Sequence, residues 1–146
     1  MFNYCVAKNE DIKTVTDLLM LLYYEDDYNE LYNSNKEYIE NPKMRFFLAF
    51  DGNEAIGIAH VALREDYVEG TSGGTVGYFE ALYVKPDYRG KGVARKLCSL
   101  CEDWSREQGC TEFSSDCDLS NDDSLKFHLK LGFEEAGRII CFTKNL

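Results

Sequence analysis

Two prolines, two histidines and one tryptophan are all that 146 residues contain of these types. Basic residues are the more telling shortage: 16 Lys and Arg stand against 26 Asp and Glu, a formal net charge of −10. Proteins that grip nucleic acid through its phosphates carry the opposite sign, so no nucleic-acid partner is expected. By itself the charge reads first as a solvated acidic surface that serves solubility; a cationic partner suits the chain better than an anionic one, because an acidic cleft raises the local concentration of cations. Long apolar runs are also missing. None approaches the ~20 residues that span a bilayer, so no membrane partner is expected. The opening Met1-Phe2-Asn3-Tyr4-Cys5 has neither a basic nor an apolar leader segment, which predicts a cytoplasmic location. With 45% hydrophobic and 14% aromatic residues, the composition is that of a globular chain. Its length suits one domain over residues 1–146.

Six cysteines are present, but only Cys98-x-x-Cys101 forms a close pair, and it falls inside a helical pattern. A structural zinc site wants a second pair, and a redox pair belongs at a helix start. The expectation is reduced, mostly buried thiols and no metal.

The pattern along the chain alternates between sheet and helix. Residues 2–7 read as a short strand. Ile12, Val15, Leu18, Leu19 and Leu22 recur at helical spacing over 11–24. A polar stretch, 25–34, leads to a shorter helix ending near Pro42. Strands at 45–50 and 55–63 flank the turn signal Asp51-Gly52. A glycine-rich acidic loop, 64–74, precedes a strand at 77–84. A long helix at 90–107 stops at Gly109. Strand 111–116, helix 122–131 and a last strand at 139–142 complete the order. The fold class is α/β, with a central mixed, mostly antiparallel sheet flanked by helices.

Most of the chemistry is concentrated in Val84-Lys85-Pro86-Asp87-Tyr88-Arg89-Gly90-Lys91-Gly92-Val93-Ala94. A strand ends there and a glycine-bearing turn opens directly into a long helix. The first helical amides lack partners and sit at the positive end of the helix dipole. Glycine lets that backbone close around an anion, and Arg89, Lys91 and Arg95 add charge, so a diphosphate is the natural ligand. The dinucleotide pattern G-x-G-x-x-G and the phosphate-loop pattern G-x-x-x-x-G-K-[ST] are both absent.

The segment Arg89-Gly90-Lys91-Gly92-Val93-Ala94 resembles the pyrophosphate motif of the GNAT superfamily of N-acetyltransferases, in the strand–turn–helix context that motif requires. Asn121, Ser124 and Phe127-His128-Leu129-Lys130-Leu131-Gly132-Phe133 resemble its second cofactor-contacting element. The resemblance implies the acyl-CoA N-acyltransferase fold and acetyl-CoA as co-substrate. The implied cofactor contacts are Leu82, Tyr83, Val84, Arg89, Gly90, Lys91, Gly92, Val93, Ala94, Arg95, Asn121 and Ser124.

Within the superfamily, Tyr78-Phe79-Glu80-Ala81-Leu82-Tyr83-Val84, Ser114-Ser115-Asp116 and Arg138-Ile139-Ile140-Cys141-Phe142 are similar to the aminoglycoside 6′-N-acetyltransferases. His at position 128, where many superfamily members have Tyr, is typical of that group. This likeness implies that Glu80 and Asp116 bind and deprotonate an amine and that His128 protonates the leaving thiolate. Tyr23 and Tyr67 join Glu80 and Asp116 on the substrate side, and a homodimer through the C-terminal strands is implied. Gly137 stands where the group often has a substrate-binding glutamate. The loop acids Glu65, Asp66 and Glu69, and the run Glu25-Asp26-Asp27 with Glu30, are candidate walls for a polycation.

Patterning alone leaves other roles open: Glu80 as an outward-facing strand carboxylate, Asp116 as a cap, His128 as a structural histidine. His60, among apolar strand neighbours, reads as structural. A polyamine or protein amine is the alternative acceptor. A non-catalytic acyl-CoA sensor is the alternative of another class.

Overall fold

A computed structural model describes all 146 residues, Met1–Leu146. The chain runs β1 (Asn3–Val6), α1 (Ile12–Leu22), α2 (Tyr28–Glu40), β2 (Met44–Asp51), β3 (Glu54–Arg64), β4 (Val76–Val84), α3 (Val93–Glu107), β5 (Phe113–Ser114) and α4 (Asp122–Lys130). Single turns of 3-10 helix precede α1 (Asn9–Asp11) and α3 (Pro86–Tyr88). One sheet takes the strands in sequence order, β1-β2-β3-β4-β5. The first four are antiparallel and β5 joins β4 in parallel. The mixed, mostly antiparallel sheet is therefore as expected.

Alternation in the central strands feeds two cores. On one face, Phe47, Ala49, Ile56, Ala59 and Val61 pack under α3, which contributes Val93, Leu97, Cys98, Cys101 and Trp104. That one-sided spacing on α3 is what its sequence period requires. On the other face, Phe46, Leu48, Ile58 and Ala81 meet Val15, Leu18 and Leu19 of α1. A full burial of each such aliphatic side chain is worth about 1.5–3 kcal/mol. Buried Asn35 donates through Nδ2 to Thr16 Oγ1 at 3.0 Å, tying α2 to α1. Trp104 is buried at the far end of α3, with the Arg45 guanidinium 5.5 Å from its ring centroid. Gly77 lets β4 approach α3 closely, because a Cβ there would stand 2.1 Å from Ser105 Oγ.

Several boundaries differ from the sequence reading. α2 begins earlier, at Tyr28, since Asp27 accepts from the Glu30 amide and caps it. β5 shrinks to two residues, and α3 starts at Val93 because Gly92 takes a left-handed conformation before it. The expected last strand at 139–142 is absent: residues from Gly132 onward have no regular hydrogen-bonded structure. This segment joins none of the five strands. Ile139, Ile140 and Phe142 are 71%, 79% and 90% exposed as a result. The cysteines also divide evenly rather than lying mostly buried. Cys98, Cys101 and Cys110 are buried and Cys5, Cys117 and Cys141 exposed, and all six are free thiols.

Candidate active site

β4 leads into the turn and opens away from β5 at the same time. β5 pairs only through Gly77 with Phe113 and Tyr78 with Ser114. Beyond Tyr78 the strands part, and the last tie is Ser115 Oγ on Phe79 O at 3.2 Å. Leu82, Tyr83 and Val84 thus have a sheet neighbour only on the β3 side. Their other backbone edge is open.

Where β4 ends, Gly90 (φ 75°) and Gly92 (φ 85°) carry the chain into α3. For other L-residues that left-handed conformation costs about 1–2 kcal/mol. Nothing lies within 4 Å of where a Cβ would stand at either glycine, so these positions serve conformation and leave open space. No side chain caps the first turn of α3. Val93, Ala94 and Arg95 therefore present amides without partners, a cradle that fits a pyrophosphate. The cations around it are placed unequally. Arg89 folds back, its Nε donating to Val84 O at 2.8 Å. Arg95 Nη2 donates to Lys130 O at 3.1 Å, which ties α3 to α4. Lys91 is exposed, with Nζ 5.5 Å from the Tyr88 ring.

On the other side of β4 the acids gather. A β-bulge sits opposite His60 and Val61, which pair with Ala81 and Phe79 and leave Glu80 as the extra residue. The bulge breaks alternation: Phe79 packs under α3 while Ala81 packs against α1. Glu80 is thereby aimed at a cleft of about 700 Å³ shared with Tyr23, Glu25, Asp26, Asp27 and Glu30. Burial, and then the charges of Glu80, Asp26 and Asp116, raise the Tyr23 phenol, which places that ring near both carboxylates. A second cleft of about 1020 Å³ holds Tyr67, Glu69, Tyr78, Asp116, Gly137 and His128. One expected wall acid is engaged elsewhere: Glu65 pairs with Lys43 at 3.0 Å. Asp27 lines the cleft and also caps α2. Glu69 stands beside Gly137, its Oε1 3.8 Å from where a Cβ of that glycine would lie.

Two residues outside the expected set complete this side. Arg64 grips Glu80 with two hydrogen bonds, 3.0 and 2.9 Å, and stacks 3.4 Å from the Tyr78 ring centroid. The Tyr78 hydroxyl donates to Asp116 Oδ2. Burial first, and then that carboxylate, push the Tyr78 phenol well above its ordinary range.

His128 lies on α4, whose N-terminus is capped by Asn121 Oδ1 on the Ser124 amide at 3.1 Å. The His128 Nδ1–H donates to Ser124 O at 2.7 Å, and Nε2 lies 2.8 Å from Ser115 Oγ. Both ring nitrogens are engaged, and the imidazole reaches the carboxylates only through the chain segment Ser115-Asp116. Stacking of Phe113 on Phe133, centroids 5.7 Å apart, supports this corner. His60 is buried beneath the smaller cleft against Phe46 (4.2 Å) and Tyr38 (5.5 Å). Its Nε2 has no partner, and desolvation pushes its pKa down to about 4.

The acetyltransferase (GNAT) family model matches residues 12–133. The chain belongs to that family. It is 33% identical over 129 residues to an aminoglycoside N(6′)-acetyltransferase type 1 from Acinetobacter genomosp. 13, covering 88% of each chain. The fold matches aminoglycoside 6′-N-acetyltransferase AAC(6′)-Ih from Acinetobacter baumannii with a TM-score of 0.94 at 31% identity, over 100% of this chain and 99% of that one. It matches AAC(6′)-Iy, in complex with the bisubstrate analogue CoA-S-monomethyl-acetylneamine, with a TM-score of 0.95 at 28% identity and the same coverage. Within this GNAT chain the glycine turn follows the end of β4, and Glu80 and Asp116 line two separate clefts beside that strand.

Proposed function

We infer that the chain transfers the acetyl group of acetyl-CoA to the 6′-amine of an aminoglycoside. The observation that carries this is an anion cradle at the start of α3, where β4 ends, beside two carboxylates on that strand's flanks, Glu80 in the smaller cleft and Asp116 in the larger. The relatives' common activity, and a neighbour's complex with a CoA–aminoglycoside bisubstrate analogue, support the substrate class. Residues 1–146 act as one catalytic domain.

Acetyl-CoA supplies an activated thioester. The amides of Gly92, Val93, Ala94 and Arg95, with Arg89, Gly90 and Lys91, hold its diphosphate. The open edge of Leu82, Tyr83 and Val84 orients the pantetheine arm and directs a backbone N–H at the thioester oxygen. Asn121 and Ser124 shape the α4 side of the channel. An alkyl ammonium attacks only after losing a proton. Asp116 binds that ammonium and accepts the proton, while Glu80, Tyr23 and Tyr67 line the rest of the acceptor pocket. Glu69 supplies a carboxylate on the wall where Gly137 has none. His128 is held by Ser124 O on Nδ1, and its Nε2 faces Ser115 Oγ, which in turn donates to Phe79 O. His128 supplies the proton for the leaving thiolate, passed through Ser115.

The working form is a cytoplasmic homodimer. The exposed Ile139, Ile140 and Phe142 of one copy pack against the other, and sedimentation of Phe142→Asp should show monomers. The deciding experiment for the reaction is thiol detection of CoA release with aminoglycosides, polyamines and a lysine-rich peptide as acceptors. Release with aminoglycosides that bear a 6′-amine, and not with the other two, is expected. Preference for the polyamine or peptide would reassign the acceptor, and no release with any amine would leave a non-catalytic CoA binder.

A further inference from the structure

Arg64 and Tyr78 form one bridged unit with the two acceptor carboxylates. Arg64, the last residue of β3, binds both oxygens of bulged Glu80, and the pair is partly desolvated, with side chains 42% and 24% exposed. The same guanidinium lies over the Tyr78 ring, and the Tyr78 hydroxyl ends on Asp116 Oδ2. Glu80 faces the smaller cleft and Asp116 the larger, so the unit separates them. Its charges sum to −1, from one guanidinium and two carboxylates.

A fork-to-fork guanidinium–carboxylate pair uses the strongest acceptor directions of both carboxylate oxygens. For Glu80 to take an ammonium or its proton, two charge-assisted hydrogen bonds must break, and arginine has no proton to give up. Asp116 differs: it is exposed, and Oδ1 accepts nothing within the chain. Building on the acetyltransferase reading, we propose that Arg64 is a specificity-determining residue that neutralises Glu80, leaving Asp116 as the single anchor for the reacting ammonium. Tyr78 is the positioning residue that keeps Arg64 and Asp116 in register. The acceptor's other ammonium groups then lodge against the peripheral acids, and the acetyl group reaches one amine only.

Replacing the cation tests this. In Arg64→Gln the unit carries −2, and Glu80 becomes a second, unproductive ammonium site. At low salt, calorimetry without acetyl-CoA should show kanamycin bound about five- to tenfold tighter, a unit charge's worth at a partly screened contact. In turnover, kcat and KM for kanamycin should fall by a similar factor, so that kcat/KM hardly moves. The KM for acetyl-CoA should stay unchanged, and the variant should remain folded by circular dichroism. Adding Glu80→Gln should restore kcat, because the competing site is gone, and Arg64→Lys should lie between the parent and Arg64→Gln. Weaker or unchanged kanamycin binding in Arg64→Gln overturns the proposal. So does a fall in kcat/KM that Glu80→Gln does not rescue, since a broken structural tie behaves that way. Absence of turnover in the unaltered chain would sink the acetyltransferase reading by itself, and the calorimetric comparison would still decide the role of Arg64.

Discussion

The turn entering α3 and the cleft beneath β4 are both charged, yet they hold their charge by different means. At the turn, two glycines shape bare backbone and the partners are helix amides, so binding depends on φ angles more than on any one side chain. At the cleft, the two carboxylates on β4's flanks are each tied to a neighbour, Glu80 to Arg64 and Asp116 to Tyr78. A preformed backbone cradle suits a ligand of constant shape. A side-chain network can be retuned by single substitutions, which suits a surface that must choose among amines.

That contrast can be broken most severely at Asp116. Asp116→Asn should keep acetyl-CoA affinity by calorimetry while kcat on an aminoglycoside drops about 100-fold or more, a typical general-base loss. A near-normal kcat would move proton removal elsewhere. The next effect is on stability and arises under the cleft. His60 titrates near 4 when folded and near 6.5 when unfolded, so below pH 6.5 the unfolded chain binds more protons. Stability is therefore full above pH 6.5 and is lost as pH falls toward 4, by about 2 kcal/mol at pH 5. Denaturant unfolding at pH 7 and pH 5 should show that loss, and His60→Phe should flatten it. An equal loss in the variant would assign the effect to carboxylates.

On the cofactor side, Gly92→Val forces a β-branched residue to φ 85°. About 1–2 kcal/mol of strain should weaken acetyl-CoA binding roughly tenfold. There is no steric clash to add, since space is open around that Cβ. Kanamycin affinity should not change. Smallest is the salt effect. Raising ionic strength shortens the Debye length from about 10 Å at 0.1 M to about 3 Å at 1 M. KM for a polycationic acceptor should rise severalfold, against a much shallower rise for a monoamine. Equal slopes would show the −10 charge to be unconnected with capture.

The two sides were also unequally legible before the structure. The turn is a local object: Val84 to Ala94 is contiguous, and strand, glycines and helix period all appear in one window. Asp116 and Glu80 are visible only through resemblance, because alternation has no signal for an inserted residue, and the bulge at Glu80 is such an insertion. Arg64 reads as the first residue of an acidic loop, since its partner lies 16 residues away on another strand. Tyr78 enters only through the resemblance of Tyr78–Val84, and nothing in the sequence pairs it with Asp116, 38 residues on. The missing strand at 139–142 has a residue pattern fit for a sheet but joins no strand of its own chain. Propensity describes the segment, while pairing needs a partner.

One tryptophan serves the whole molecule, and it sits at the end of α3 away from the glycine turn, buried and capped by the Arg45 guanidinium. Its emission is therefore a single-channel signal, free of the usual sum over several indoles. Water and a fixed cation control that signal, and both change only when α3 lifts from the sheet. Fluorescence will follow loosening of the cofactor-side core and stay silent when an amine enters the acidic cleft, so the chain comes with an optical label on one of its two halves.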